Sequence, residues 1–225
     1  MAINTKKPAM KNVNNREAEI LDKKLLKVYL VTDNKALKGR DFFDVVEDAL
    51  KGGVTIVQLR EKELNDEEFI AKAIKLKKLT KKYNVPLIIN DNISVAKAVD
   101  ADGVHIGQKD LAKYGGVPSL EGKIIGITAN TPELAIAAEK AGADYIGAGA
   151  LFATSTKGDA KNISYDTLKA ITEAVNIPVV AIGGINTENA PSLKGSGIAG
   201  CAVSSGIMGS ESPEKAAETF KKIEY

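Results

Sequence analysis

The stretch PLIINDNISVAKAVDADGVHIGQKDL, residues 86–111, contains the repeating unit that decides the fold. Its two apolar runs, PLII and GVHIG, are rich in β-branched residues, and the segment between them is long enough for a short helix. Both runs end in polar and acidic residues. A buried strand, a helix and a second buried strand in this order are typical of a parallel βαβ unit.

This alternation of apolar runs and helical segments continues from about residue 26 to the end of the chain. Eight runs predict strands, at residues 27–33, 55–62, 86–91, 103–107, 123–128, 145–150, 178–184 and 200–205. Helix-start residues precede three of the segments between them, namely Asn65 or Asp66, Thr131 and Ser212. Eight βα units predict an α/β fold of the (β/α)8 TIM barrel type.

A doubly wound sheet is the alternative fold, but no GxGxxG motif follows the first predicted strand. The weakest unit of the barrel prediction is the fourth, because KDLAKYGGVPSL is short and glycine-rich for a helix. We therefore expect one catalytic domain at residues 25–225. Residues 1–24 are rich in Lys and Asn, and they predict a partly disordered or weakly helical extension.

Composition excludes several classes of function. The chain has 225 residues, 44% of them hydrophobic, and a formal net charge of +2, which gives no general attraction for nucleic acid or an anionic membrane. No run is long enough for a transmembrane helix, and the polar first residues lack the apolar core of a signal peptide. The single cysteine, Cys201, lies in an apolar run and is expected to be a buried hydrophobic residue. We therefore expect a cytoplasmic location.

Polar side chains follow several predicted strands at their C-terminal ends, where barrel enzymes carry their active sites. Arg60 and Lys62 are two residues apart, so in an extended segment both side chains leave the same face and could bind one diphosphate. Two solvated loop cations are the alternative. Asp91 and Asp110 follow neighbouring strands and offer the oxygen ligands that Mg²⁺ prefers, although either could be only a helix cap.

A second group of residues suits a phosphate. Gly183 and Gly184 follow the seventh predicted strand, and Ser204 and Ser205 end the eighth, where barrels commonly bind phosphate through main-chain amides. A simple glycine turn is the alternative. His105 lies inside the fourth strand, where a structural role is favoured over a catalytic one. The sequence thus predicts two anion sites in one barrel mouth.

These motifs, in this order, resemble those of the thiamine-phosphate synthase family. The resemblance runs from about residue 28 to the C-terminus and rests on VTD, QLREK, IIND, ADGVHIGQKDL, IIGIT, GADYIGAGALFATSTKGDA, VVAIGGI and AVSSGI. It implies a barrel enzyme that joins 4-amino-2-methyl-5-hydroxymethylpyrimidine diphosphate to 4-methyl-5-(2-phosphoethyl)thiazole and releases pyrophosphate. The implied partners are these small molecules and Mg²⁺, without nucleic acid or membrane, and a homo-oligomer is left open.

The resemblance also implies roles for individual residues. The pyrimidine diphosphate would be held by Gln58, Leu59, Arg60, Glu61, Lys62, Asn90 and Lys157, and Mg²⁺ by Asp91 and Asp110. The thiazole phosphate would be held by Thr154, Ser155, Thr156, Gly184, Ser204 and Ser205. Thr128 stands near the reacting pyrimidine, where the family usually has serine. Arg60, Lys62 and Lys157 would stabilise the departing pyrophosphate in a dissociative displacement.

The chain departs from the family pattern at a few positions. Asn92 stands where the family often has arginine, Asn130 where it often has histidine, and AKYGGVPSL lacks a common arginine. One rival is a related thiazole tautomerase, which relies on a histidine acid/base and needs no metal and diphosphate site. A non-catalytic phosphate-binding barrel is the second rival.

Overall fold

The computed structural model describes residues 21–118, 120–153 and 162–225. Eight parallel strands form a closed barrel in which each strand pairs with the next along the chain and the last pairs with the first. The strands are β1 (Val28–Val31), β2 (Ile56–Leu59), β3 (Leu87–Asn90), β4 (Gly103–Ile106), β5 (Ile124–Thr128), β6 (Tyr145–Ala148), β7 (Val179–Ile182) and β8 (Gly200–Val203). The predicted (β/α)8 barrel is confirmed.

Helices cover the outside of the barrel. In the described part of the chain they are α1 (Phe42–Lys51), α2 (Asp66–Lys82), α3 (Ile93–Ala98), α4 (Gln108–Lys113), α5 (Pro132–Lys140), α6 (Tyr165–Ala174), α7 (Ser205–Met208) and α8 (Pro213–Lys222). The predicted starts agree with the caps, since Asn65 forms a capping box and Thr131 and Ser212 accept main-chain hydrogen bonds ahead of a proline. Within these residues, no helix has both the length and the apolar character to cross a membrane.

Several segments between the strands are less helical than a regular barrel requires, including the six-residue α3. The fourth unit, weak in sequence, contains only the six-residue α4. The predicted helical segment after β7 contains a single 3₁₀ turn, Ala190–Leu193, with a proline in its first positions. Gly195 and Gly197 follow that turn with φ of +82° each, a conformation that cannot continue a right-handed helix. The expectation of a helix there is therefore wrong.

Each strand divides its side chains between two apolar clusters, as the two-residue period of a strand requires. In β1, Val28 and Leu30 point outward to the helices, whereas Tyr29 and Val31 point into the barrel. Leu26, from the 3₁₀ helix Lys23–Leu26, is buried with the inward-facing group, and Leu21 and Leu25 pack against it. The predicted extension therefore contributes Leu21 to the core, while residues 1–20 lie outside the described residues.

The barrel interior contains two large aromatic side chains, Tyr29 and Tyr145, which are both fully buried. A glycine on the adjacent strand makes room for one of them, because a Cβ at Gly126 would lie 2.0 Å from Tyr145 Cζ. Similarly, a Cβ at Gly147 would lie 2.9 Å from Cε1 of His105. The interior is thus filled by large side chains set against glycines on the next strand or the one beyond it.

This packing predicts that Gly126→Ala lowers the free energy of unfolding by about 1–3 kcal/mol, the usual cost of overpacking a core. Urea denaturation checks the value. Because the clash is with the Tyr145 ring, adding Tyr145→Leu should recover part of that loss, so the two changes should not be additive. Additive losses would show that Gly126 is needed for another reason.

Candidate active site

A cavity opens at the C-terminal mouth of the barrel, and residues from all eight strands or the segments directly after them line it. On the side of β2 and β3 the predicted site residues in its wall are Gln58, Arg60, Lys62, Asn90 and Asp91. Thr128 lies at the end of β5, and on the side of β7 and β8 the wall includes Gly184, Ser204 and Ser205. Closure of the barrel therefore brings together predicted residues that are up to about 150 positions apart in sequence.

Asp91 is the acidic residue at the cavity, and its carboxylate has three hydrogen-bond donors. Lys62 Nζ lies 2.6 Å from Asp91 Oδ2, Asn90 Nδ2 donates to the same oxygen at 2.6 Å, and the Gly107 amide donates to Oδ1 at 2.9 Å. Burial opposes ionisation, but the hydrogen bonds from Lys62 and Gly107 outweigh it and hold the pKa of Asp91 below its usual value. Asp91 is therefore an anion at neutral pH.

Asp110 does not line this cavity. It lies in the first turn of α4, which begins directly after Gly107, and its Oδ1 is 2.8 Å from Lys113 Nζ. The Gly107 amide binds Asp91 while the Gly107 carbonyl accepts the Asp110 amide, so one residue joins the two predicted metal ligands. The hydrogen bond with Asp110 raises the pKa of Lys113, and Asp91 adds to this effect through its charge. The negative charges of Asp110 and Asp91 therefore both raise the pKa of the same side chain, Lys113.

Positive and negative residues alternate along the segment after β2, so their side chains point in opposite directions. Arg60 and Lys62 face the cavity, whereas the Glu61 side chain turns outward and is 3% exposed. There Lys72 Nζ lies 2.6 Å from Glu61 Oε1, and Asn34 donates to both carboxylate oxygens. Lys72 Nζ also lies 3.7 Å from the centroid of the Phe42 ring. This outward ion pair fixes the segment from which the two cations project.

The structure does not bring two of the predicted binding side chains into the cavity. Leu59 is fully buried in the outer apolar cluster, and Glu61 is held by Lys72. A contact of these two residues with a ligand therefore stays a prediction. Thr154, Ser155, Thr156 and Lys157 lie outside the described residues.

The wall contributed by β7 and β8 has the features of a main-chain anion site. Gly183 and Gly184 have φ of +99° and +65°, and a Cβ at Gly184 would lie 2.5 Å from the Ala153 carbonyl oxygen. A Cβ at Gly183 would lie 2.5 Å from the Ala150 Cα, so glycine is required at both positions by conformation and by space. Ser204 Oγ is buried and has no hydrogen-bond partner within the described parts of the chain. A buried hydroxyl without a protein partner can form a hydrogen bond with a ligand.

His105 and Thr128 form the floor of the cavity. His105 Nε2 lies 3.0 Å from Thr128 Oγ1, and His105 Nδ1 lies 3.0 Å from the hydroxyl oxygen of Tyr145. The predicted structural role of His105 therefore coexists with a place in the cavity wall. Sequence patterns missed this link, because Tyr145 stands in an apolar strand where its hydroxyl gives no periodic signal.

Two departures from the family pattern have clear structural roles. Asn92 caps α3 by accepting a hydrogen bond from the Val95 amide, and its amide group also donates to Asp66. Asn130 accepts a hydrogen bond from the Gly149 amide at 3.0 Å. Both asparagines thus hold main-chain segments beside the cavity.

Cys201 is the one cysteine of the chain and lies in the outer apolar cluster. Burial raises the pKa of its thiol to about 12, so it is not a nucleophile at neutral pH. The expectation of a buried hydrophobic role is confirmed.

The chain is similar to thiamine-phosphate synthases from several organisms. It is 53% identical over 192 residues to that of Clostridium tetani, covering 85% of this chain and 92% of the relative. It is 48% identical over 198 residues to that of Methanobrevibacter smithii, covering 88% and 94%. Thiamine phosphate pyrophosphorylase from Pyrococcus furiosus superposes with a TM-score of 0.79 at 41% identity, covering 89% of this chain and 96% of that one.

A closed (β/α)8 barrel with a charged rim and a glycine-lined wall around one mouth is typical of enzymes that act on phosphorylated small molecules. The family model for thiamine monophosphate synthase matches residues 28–207. The chain belongs to the thiamine-phosphate synthase family. The class of activity predicted from sequence, a transferase of thiamine biosynthesis, is confirmed with it.

The outward ion pair behind the cationic segment predicts a stability effect. Lys72→Met should leave the Glu61 carboxylate buried without its partner and lower the free energy of unfolding by about 3 kcal/mol. Urea denaturation measures this. Lys35→Met is the matched control, because it breaks a pair with Glu63 whose side chains are 82% and 77% exposed, worth about 0–1 kcal/mol. Equal effects of the two changes would contradict the anchoring role of Lys72.

Proposed function

We propose that this protein condenses 4-amino-2-methyl-5-hydroxymethylpyrimidine diphosphate with 4-methyl-5-(2-phosphoethyl)thiazole to give thiamine phosphate and pyrophosphate. One observation carries the proposal: a single cavity has two different environments for anions. Arg60, Lys62 and an ionised Asp91 form one, and Gly183, Gly184 and the Ser204 hydroxyl, which has no partner among the described residues, form the other. A diphosphate and a monophosphate are the pair of groups that such a cavity accommodates.

The diphosphate belongs on the side of β2 and β3. Arg60 offers a planar fork of donors and Lys62 a point charge, which together match the oxygens of a diphosphate. Asn90 has a donor beside them, and this amide donates to Asp91. Lys157, outside the described residues, is assigned to the same group by the resemblance alone. A second cavity shares Arg60, Lys62 and Ser205 with the first, so there is space on both sides of these cations.

Asp91 and Asp110 are the residues that would hold Mg²⁺. In the described residues no cluster of three or more His, Cys, Asp or Glu side chains could hold a metal ion alone. That finding fits Mg²⁺, which is commonly bound by one or two carboxylates together with phosphate oxygens and water. Asp91 is ionised and both carboxylates now face lysines, which a cation would replace. When bound, Mg²⁺ supplies positive charge to the pyrophosphate leaving group.

The reaction needs no protein nucleophile. The bond between the pyrimidine methylene and the diphosphate oxygen breaks, and its electron pair leaves with pyrophosphate, where Arg60 and Lys62 stabilise the charge. The aminopyrimidine ring delocalises the positive charge left on the methylene. The thiazole nitrogen then attacks this carbon and forms the new bond. The main chain at Gly184 and the Ser204 hydroxyl act by holding the thiazole phosphate, and hence the nitrogen, in position.

The tautomerase rival is less well supported. The position where a catalytic histidine would be expected contains Asn130, which is engaged in a structural hydrogen bond to the Gly149 amide. The charged groups on the side of β2 and β3 would have no part in such an isomerisation. The cytoplasmic location remains a prediction, as does the division of the chain at residue 25, and the oligomeric state stays open.

The proposal predicts turnover of the two substrates with Mg²⁺ present. Pyrophosphate and thiamine phosphate should form in equal amounts, and EDTA should abolish both, with activity restored by added Mg²⁺. Chromatography of the products together with a phosphate-detection assay measures this. Absence of product from the folded protein, or turnover unaffected by EDTA, would contradict the proposal.

The metal assignment predicts large effects at two carboxylates. Asp91→Asn and Asp110→Ala should each lower kcat about a hundredfold, since one stabiliser of transition-state charge contributes about 3 kcal/mol. Lys157→Ala is expected to have a similar effect. Asp48→Ala, which removes an exposed carboxylate of α1 paired with Lys51, is the control and should leave kcat unchanged. Circular dichroism should show that all four variants are folded. Normal rates in the first three would refute the assignment.

A further inference from the structure

A continuous chain of hydrogen bonds runs through the barrel interior and ends at the cavity floor. Gln58 Nε2 donates to the Tyr29 hydroxyl at 2.8 Å, and the hydroxyl oxygens of Tyr29 and Tyr145 are 2.7 Å apart. Tyr145 then contacts His105 Nδ1 at 3.0 Å, and His105 Nε2 contacts Thr128 Oγ1 at 3.0 Å. This hydrogen-bond chain therefore joins β2 to β5 across the inside of the barrel.

The direction of every hydrogen bond in this series follows from the donor at its start, the Gln58 amide. An amide nitrogen can only donate, so the Tyr29 oxygen accepts from Gln58 and its own proton goes to Tyr145. Tyr145 then donates to His105 Nδ1, because otherwise a buried hydroxyl proton would lack an acceptor. A nitrogen that accepts carries no proton, so the proton of the neutral ring lies on Nε2. His105 thus donates to Thr128.

The surroundings favour this arrangement. Tyr29 and Tyr145 are both fully buried, and this burial raises the pKa of each phenol above its usual value, so both hydroxyls retain their protons. The histidine ring packs closely over Gly147, where a Cβ would come within 2.9 Å of Cε1. The two hydrogen bonds orient the ring in this space, with Nδ1 toward Tyr145 and Nε2 toward Thr128.

We propose that Tyr145, with Tyr29 behind it, is a positioning residue that fixes His105 as the Nε2–H tautomer and so makes the Thr128 hydroxyl a hydrogen-bond donor to the ligand. Thr128 accepts the His105 proton with one lone pair, and its own proton is directed toward the cavity that it lines. A ligand that binds here must present an acceptor, such as an unprotonated ring nitrogen. Neither tyrosine lines the cavity, so both act through His105.

This inference rests on the proposed function for the identity of the ligand, a pyrimidine, but its first test does not. His105 is the only histidine in the chain. Nitrogen-15 NMR of the ligand-free protein therefore reports its two ring nitrogens without ambiguity. We expect a protonated Nε2 and an unprotonated Nδ1 in the native protein. A proton on Nδ1 would mean that the Gln58 amide is turned over and the whole chain reversed, which would overturn the inference.

Two variants separate the steps of the chain. Tyr145→Phe removes the donor to Nδ1 and should replace the single tautomer by a mixture, while kcat falls about five- to tenfold, as for the loss of one neutral hydrogen bond. Thr128→Val should lower kcat but keep the Nε2–H tautomer, because Tyr145 still binds Nδ1. Tyr83→Phe is the matched control, since its hydroxyl donates to Glu47 on the outside of the barrel, and it should change neither measurement.

The outcomes distinguish this inference from the proposed function. An unchanged Nε2–H tautomer in the Tyr145→Phe protein would refute the positioning role, whatever the turnover of the native protein. A native protein with the expected tautomer but no turnover would refute the proposed function and leave the hydrogen-bond chain intact. A native rate in folded Tyr145→Phe would show that the tautomer does not matter for catalysis and would also overturn the inference.

Discussion

Closure of eight short parallel strands into a barrel is the constraint on which the rest of this structure depends. A closed sheet has no free edge, and one face of every strand lies inside the barrel while the other lies under the helices. Successive side chains of each strand therefore alternate between these two places. The same closure directs every strand end with the same polarity toward one mouth. Residues such as Arg60, Asp91 and Ser204, which belong to different strand ends, therefore share one cavity without any long loop to bring them together. The helices and glycines mainly preserve this geometry.

The interior of the barrel connects stability with chemistry. Most inward-facing residues in the lower part are apolar, but Tyr29 and Tyr145 each bring a hydroxyl into the core, and a buried hydroxyl must be hydrogen-bonded. The partners come from Gln58 below the diphosphate side and His105 below Thr128. The hydrogen bonds that satisfy the two buried hydroxyls thus continue through His105 to Thr128, which lines the cavity. Packing at Gly126 and Gly147 is part of the same arrangement.

Sequence patterns predicted the strands, the order of the units, the principal caps and the short fourth unit, because these features depend on local periodicity and turn chemistry. They predicted the cavity face of Arg60 and Lys62 for the same reason. They did not predict that Glu61 faces away from the cavity, because its partner Lys72 lies on the following helix and is visible only once that helix packs against the barrel. The interior hydrogen-bond chain was missed for a similar reason: it joins strands that are far apart in sequence.

The central claim is that one barrel mouth binds two anions by different means, with a diphosphate on metal and side-chain cations and a monophosphate on main-chain groups. A crystal structure of the protein with Mg²⁺, thiamine phosphate and pyrophosphate tests this most directly. We expect pyrophosphate beside Arg60 and Lys62, joined through Mg²⁺ to Asp91 and Asp110, and the thiamine phosphate group beside Gly184 and Ser204. Pyrophosphate on the glycine side, or a metal ion bound away from both aspartates, would contradict the account.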